Sequence, residues 1–278
     1  MLRIVPILFV AILASSALLV HAAPVAPAQR LDATDAPSCD PVPGSWDILV
    51  DALPALEGGE DTHLCYGKIR PGARMTAPVG CTFNWIVRDS AGDLYIGSAG
   101  HCTGVGSRVA TEGVGEFGTV VYNGYSRGID WLLVKVDANK LHRVDPTLCH
   151  WGGPGALGVP DLGDELLVYG FGTGYGTLAA TRARVGVAYT KTAGEMQYVG
   201  MMQPGDSGAP VMTDEGEAVG IHVRSSLSVP VVGLRVDPSY KYATRLDFAM
   251  ADASTALGTT ISLVTSDVPV NLAGSPQG

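Results

Sequence analysis

Short runs of β-branched and aromatic residues recur from Gly80 onward, and turns rich in Gly, Asp and Asn separate them. Such short strands with frequent turns predict a β-sandwich or β-barrel and argue against βαβ units. The composition agrees, because 36 glycines and only 16% charged residues suit a compact, turn-rich β protein. The predicted strands are 82–87, 94–98, 118–122, 131–136, 165–169, 184–190, 197–201, 209–212, 218–223 and 231–236.

One of the predicted turns places a serine between glycines. Residues 203–210 read QPGDSGAP, with Ser207 at the centre. A serine hydroxyl is a weak nucleophile unless a base takes its proton and donors stabilise the oxyanion that forms. The glycines let the backbone turn sharply, so the N–H groups of Gly205 and Ser207 can point at one oxygen. The segment therefore predicts a nucleophile with its own oxyanion hole.

The residues that would activate this serine stand upstream. His101 follows a predicted strand in the stretch SAGHC, and Asp130 precedes another strand in the stretch GIDW. The order His, Asp, Ser is one of three known for catalytic triads on unrelated folds. Together these motifs resemble the chymotrypsin-like (trypsin-like) serine protease family, of the secreted bacterial type, over about residues 69–258.

The resemblance implies an all-β fold of two perpendicular six-stranded antiparallel β-barrels with a C-terminal helix. His101 and Asp130 would come from the first barrel and Ser207 from the second, with the site in the cleft between them. Near-helical spacing of apolar residues over 242–257, followed by Gly258 as a stop signal, predicts the terminal helix. The implied activity is that of a serine endopeptidase, in which Ser207 attacks, His101 moves the proton and Asp130 orients His101.

The same resemblance assigns the pocket for the substrate side chain before the cleaved bond (P1) to Met201, Met202, His222 and Ser225. A trypsin-like enzyme carries an aspartate where Met201 stands, so cleavage after Lys or Arg is not expected. His222 is similar to the pocket histidine of glutamyl endopeptidases and of viral proteases that select glutamine, since an imidazole can donate to such side chains. Two methionines suit an apolar pocket equally well. Both Glu/Gln and apolar P1 residues stay open.

Asp206, beside the predicted nucleophile, raises a question of charge. A buried Asp206 would need a cation, because an isolated buried carboxylate is very costly. In trypsin-type zymogens a newly cut N-terminus of the Ile-Val-Gly-Gly kind supplies that cation, and the sequence has no such stretch. An internal arginine and a simple turn-forming role for Asp206 are the alternatives.

The N-terminal residues predict export. Residues 1–22 carry one charge, Arg3, followed by an almost wholly apolar run that ends at Ala22, as in a secretory signal peptide. An uncleaved membrane anchor is the alternative. The predicted organisation is a signal peptide (1–22), a Pro/Ala-rich propeptide or N-terminal extension (23–67), a protease domain (68–258) and a C-terminal tail (259–278). The protein is therefore expected to be secreted.

Five cysteines in an exported chain predict disulfides with one cysteine left over. The family resemblance implies a bridge between Cys81 and Cys102, and closing a loop of this size contributes about 3 kcal/mol in the chain-entropy model. A bridge between Cys65 and Cys149 is the second expectation. Pairing of Cys39 with Cys65 competes with it, and the sequence leaves this choice open.

The net charge and the spacing of His and Cys residues indicate which ligands are not expected. The net charge is −9 and no cluster of Lys and Arg appears, so nucleic-acid binding is not expected. The sequence has no CxxC or HxxxH spacing that would indicate a metal site. The chemistry implied by the resemblance uses no cofactor. We expect a monomer that acts on protein or peptide substrates and has no membrane association after signal cleavage. The alternatives are a catalytically silent homologue that acts as a binding protein, and an esterase that uses the same triad.

Overall fold

The computed structural model describes residues 67–148, 152–172, 183–200, 202–225 and 240–268. Two sheets and one helix, α1 (Leu246–Leu257), make up this part of the chain. The strands of the first sheet are β1 (Arg74–Ala77), β2 (Cys81–Thr82), β3 (Ile86–Arg88), β4 (Leu94–Ser98), β5 (Arg108–Thr111), β6 (Gly115–Asn123), β7 (Leu132–Val136) and β15 (Ser262–Leu263). The strands of the second sheet are β8 (Ala156–Leu157), β9 (Glu165–Tyr169), β10 (Ala183–Lys191), β11 (Glu195–Gly200), β12 (Pro210–Thr213), β13 (Glu217–Ser225) and β14 (Tyr240–Arg245).

The first sheet has the order β15-β3-β4-β7-β6-β5-β1-β2. The terminal strand β2 runs through residues 83–85 into β3, which lies on the far side of the sheet, next to the other terminal strand β15. Phe83 N donates to Ala73 O on one side (2.8 Å), and Asn84 N donates to Gly97 O on the other (2.8 Å). The predicted strand 82–87 is therefore broken in the middle, where the hydrogen-bonding partner of the chain changes from the segment before β1 to β4.

The second sheet closes on itself. Its order is β12-β9-β10-β11-β14-β13-β8, and β12 also pairs with β13. The short β8 runs parallel to β13, with Ala156 opposite Glu217, so the sheet is not antiparallel throughout. The predicted all-β two-barrel fold with a C-terminal helix is confirmed.

Apolar side chains of the strands form the hydrophobic cores of the two barrels. In the first core, Trp85 and Trp131 are completely buried, and Phe83 packs edge-to-face on Phe117 with ring centroids 5.3 Å apart. A separate cluster fills the second barrel and consists of Leu166, Val168, Ala188, Met196, Tyr198, Met202, Ala209, Val211, Val219 and Ala243.

Several boundaries differ from the sequence-based expectation. The helix begins at Leu246 and not at residue 242, because 240–245 form β14 and pair with both β11 and β13. The predicted tail 259–278 contains β15, which extends the first sheet by pairing with β3. The predicted strand 231–236, the signal peptide and the extension up to residue 66 lie outside the described residues. Within the described ranges, no helix has both the length and the hydrophobicity needed to span a membrane.

Candidate active site

His101 lies in a single 3-10 turn (Gly100–Cys102) directly after β4. Two contacts hold this turn in place. A disulfide joins Cys102 to Cys81, the first residue of β2. The side chain of Asn123 donates from Nδ2 to Gly100 O at 2.7 Å. The chain is therefore held at the residue before His101 and at the residue after it.

Asp130, on the approach to β7, binds His101 with both carboxylate oxygens. His101 Nδ1 lies 2.8 Å from Asp130 Oδ2, and the backbone N–H of His101 donates to Asp130 Oδ1 at 2.9 Å. A carboxylate that accepts from the ring and from the backbone of one residue fixes the orientation of that ring. Because Asp130 accepts at Nδ1, the Nε2 atom of His101 is left to face a nucleophile or substrate.

The loop that carries Asp130 is tied to the histidine turn. Asn123 Oδ1 accepts from Tyr125 N at 2.8 Å, so the amide that holds Gly100 also holds this loop. The exposed Tyr125 ring meets the His101 ring edge-on, with centroids 6.2 Å apart. Asn123 had no signal in the sequence, because its partners lie on two separate loops.

An ion pair joins the same loop to helix α1. Arg127 Nη2 donates to Asp252 Oδ2 at 2.6 Å, and the Tyr122 hydroxyl donates to the same oxygen at 2.6 Å. The Arg127 guanidinium, followed by the Tyr122 hydroxyl, holds the pKa of Asp252 below its usual range despite partial burial. Burial, followed by the hydrogen bond to the Asp252 carboxylate, raises the pKa of Tyr122.

Ser207 lies in the turn before β12, between two glycines with positive φ. Gly205 has a φ of 102° and Gly208 a φ of 93°, in the region that other residues rarely adopt. The Asp206 N–H between them donates to Gln203 O at 3.0 Å. Among the described residues, the backbone N–H groups of Gly205 and Ser207 have no hydrogen-bond partner. These two N–H groups thus lie on either side of an engaged N–H in the same turn.

The serine turn packs against the chain that leads to His101. A Cβ atom on Gly208 would lie 2.1 Å from Thr82 O and 2.9 Å from Ala99 N, two residues before the histidine. Only glycine allows the turn to come so close. The structure shows no hydrogen bond of the Ser207 side chain within the described ranges. Such contacts are commonly long without substrate.

The carboxylate of Asp206 is completely buried. It accepts from Gly172 N at 2.8 Å (Oδ1) and from Gln203 N at 2.7 Å (Oδ2). Backbone donors of this kind stabilise a buried carboxylate. Through Gly172, Asp206 therefore links the serine turn to the chain after β9, and through Gln203 it stabilises the turn itself.

The predicted pocket residues are only partly brought together. His222 is buried in β13, and its Nδ1 lies 2.8 Å from the Tyr198 hydroxyl. Met202 is buried nearby in the core of the second barrel, whereas Ser225 is exposed at the end of β13. Met201 lies outside the described residues, as do Cys39, Cys65 and Cys149. The contact of His222 with Tyr198 was missed in the sequence, because it joins β13 to β11 across 24 residues, and β14 lies between these two strands in the sheet.

His101 also lies close to the two cysteine sulfurs, within 4.8 Å. Both sulfurs belong to the Cys81–Cys102 disulfide, so neither is a thiolate that could bind a metal. The disulfide therefore serves to hold the histidine turn.

No family model and no curated protein matches the sequence. Solved structures do match it. The protease of Nocardiopsis (NAPase) has a TM-score of 0.53 at 15% identity, covering 70% of this chain and 98% of that one. A glutamic-acid-specific serine protease that uses a histidine triad in substrate binding has a TM-score of 0.51 at 16% identity, covering 70% and 100%. At such identities the likeness establishes the fold, and the chain therefore has the chymotrypsin-like fold of bacterial serine proteases.

Proposed function

We propose that the protein is a secreted serine endopeptidase that uses Ser207, His101 and Asp130 as its catalytic triad. The observation that carries this proposal is the double contact of Asp130 with His101, which fixes the ring through Nδ1 and leaves Nε2 out of the contact with the carboxylate. The solved structures with the same fold are proteases, which favours the same reaction class here.

The proposed reaction has two steps. Ser207 Oγ bonds to the carbonyl carbon of the scissile peptide while His101 takes the hydroxyl proton on Nε2. His101 then gives this proton to the leaving amine, the C–N bond breaks, and an acyl ester on Ser207 remains. A water molecule then attacks the ester carbonyl while His101 takes a proton from it. His101 returns this proton to Ser207 Oγ as the ester bond breaks and the acid leaves.

The tetrahedral intermediate of each step carries a negative oxygen. The N–H groups of Gly205 and Ser207, both without a partner among the described residues, are positioned in one turn to donate to it. One donor of an oxyanion hole is worth on the order of 3 kcal/mol in comparable enzymes.

For the P1 side chain we propose Glu or Gln. The buried pair of His222 and Tyr198 supports this choice. If the Tyr198 hydroxyl donates to Nδ1, the proton of a neutral imidazole is on Nε2, where it can donate to a side-chain carbonyl or carboxylate. A protease of the same fold is specific for glutamic acid and binds substrate with a histidine triad.

The disulfide supports the proposed export. A bridge such as Cys81–Cys102 persists in oxidising compartments outside the cytosol. We propose that residues 1–22 are removed as a signal peptide and that residues 23–67 form a propeptide or extension. The mature protein would then meet its peptide substrates outside the cell, as a monomer.

Digestion of a diverse peptide library, with cut sites determined by mass spectrometry, tests the activity. The secreted protein is compared with Ser207→Ala, and each is used as secreted and after trimming to residue 68. Cuts made only by the wild type, after Glu or Gln, are expected. Cuts after Leu, Phe or Met would overturn the P1 proposal, turnover of small esters alone would favour an esterase, and no turnover by either form would favour a silent homologue.

A further inference from the structure

Thr82, a completely buried residue at the end of β2, is hydrogen-bonded to both halves of the candidate site. Its backbone N–H donates to Ser207 O at 2.8 Å. Its backbone carbonyl accepts from Ser98 Oγ at 2.8 Å, three residues before His101. Thr82 therefore lies between the strand that leads to the histidine and the turn that carries the serine.

The side-chain hydroxyl of Thr82 makes two further hydrogen bonds. Oγ1 donates to Gly205 O at 2.8 Å and accepts from Phe171 N at 2.9 Å. A hydroxyl has one donor and two acceptor sites, so this atom has used its single proton on Gly205. The bond from Phe171 then fixes the direction in which that proton points.

The bond to Gly205 O acts on one peptide unit of the oxyanion turn. This unit links Gly205 to Asp206, and its N–H donates to Gln203 O at 3.0 Å. A planar peptide that is held at both its oxygen and its hydrogen cannot rotate. The Gly205 and Ser207 N–H groups flank this unit, so their directions depend on it.

Glycine at 205 makes an external constraint necessary. With a φ of 102° and no Cβ atom, Gly205 has more alternative backbone conformations than any other residue. Without the Thr82 hydroxyl, the Gly205 carbonyl loses this donor, and the peptide is held only through the hydrogen bond from its N–H to Gln203 O. We infer that Thr82 is a positioning residue, whose hydroxyl holds the peptide between Gly205 and Asp206 so that the oxyanion donors are preorganised.

This inference rests on the proposed function and predicts a defect in the transition state. Thr82→Val keeps the shape of the side chain and removes the hydroxyl. Loss of a direct oxyanion donor lowers kcat by about 100-fold to 1000-fold, and loss of a residue that orients two donors is expected to lower it by at least about tenfold. KM for a peptide substrate should change little, because the ground-state carbonyl needs the donors less.

Two comparisons separate positioning from general destabilisation. Thr82→Ser retains the hydroxyl and should restore kcat to within about threefold of the wild type. Thr111→Val is the matched control, since Thr111 is also buried in the first barrel and its hydroxyl donates to Arg74 O at 2.8 Å, in the strand pair β1–β5. Its kcat should equal that of the wild type even where its melting temperature falls.

The experiment measures kcat, KM and the inhibition constant of a peptide boronic acid, which forms a tetrahedral adduct on the serine. Weaker boronate inhibition together with lower kcat, in Thr82→Val alone, is the expected result. If Thr82→Val does not fold, Thr82→Ala replaces it. An active wild type with unchanged kcat in the folded Thr82 variant would overturn this inference only. A wild type without peptide turnover would overturn the proposed function and this inference together.

Discussion

Asn84, completely buried between the two sheets, should contribute more to stability than its size suggests. Its Nδ2 donates to Gly208 O at 3.0 Å, next to the candidate nucleophile. Its Oδ1 accepts from Trp131 Nε1 at 3.1 Å. Gly97 makes room for this arrangement, because a Cβ atom there would lie 2.0 Å from Asn84 Oδ1. Asn84→Ala leaves both distant partners buried without their hydrogen bonds.

The magnitude follows from these two partners and a third, the backbone N–H of Trp85, which also donates to Asn84 Oδ1 at 2.9 Å. Each buried polar group that loses its partner costs about 1 to 3 kcal/mol, so Asn84→Ala should lower the free energy of unfolding by about 3 to 9 kcal/mol. Domains of this kind are stable by only about 5 to 15 kcal/mol. Thr111→Val, which removes one hydroxyl bond in the same barrel, should cost about 1 kcal/mol.

Urea unfolding followed by tryptophan fluorescence measures both losses. The variants are made in the Ser207→Ala background, so that autolysis does not distort the transition. A loss for Asn84→Ala no larger than that for Thr111→Val would refute the reasoning. It would mean that water or a shifted side chain satisfies Gly208 O and Trp131 Nε1.

Two further changes test the pocket and the link to the helix. Tyr198→Phe removes the hydroxyl beside His222 and should reduce kcat/KM for Glu and Gln peptides by about tenfold relative to Leu peptides. Competition between the peptides measures this ratio, and an unchanged ratio would contradict a role of the His222–Tyr198 pair in P1 selection. The ion pair of Asp252 with Arg127 contributes stability above the ordinary carboxyl pKa, and this contribution is lost as pH falls through the lowered pKa of Asp252. Asp252→Asn should therefore destabilise the protein at pH 7 and have little effect near pH 2 in thermal melts, whereas equal destabilisation at both values would rule out this ionic contribution.

Features that depend on neighbouring residues were predicted well from the sequence. The serine turn could be recognised because glycines with positive φ on either side of Ser207 are a local requirement of its backbone. The strands β4 and β9 have the predicted bounds, since short runs of β-branched and aromatic residues and their flanking turns are also local features. The helix was predicted to start too early, because residues 240–245 pair with two strands that the local pattern does not reveal.

The sequence alone thus determined the fold class and indicated the residues of the proposed catalytic triad. Only the tertiary structure decided how these residues are held. Thr82 and Gly205 are 123 residues apart, and the bond between them exists because the two sheets pack with these strands in contact. The same applies to Asn84 with Gly208, 124 residues apart. Hydrogen bonds require an alignment of a few tenths of an ångström, and no local pattern of residues specifies that alignment between separate barrels.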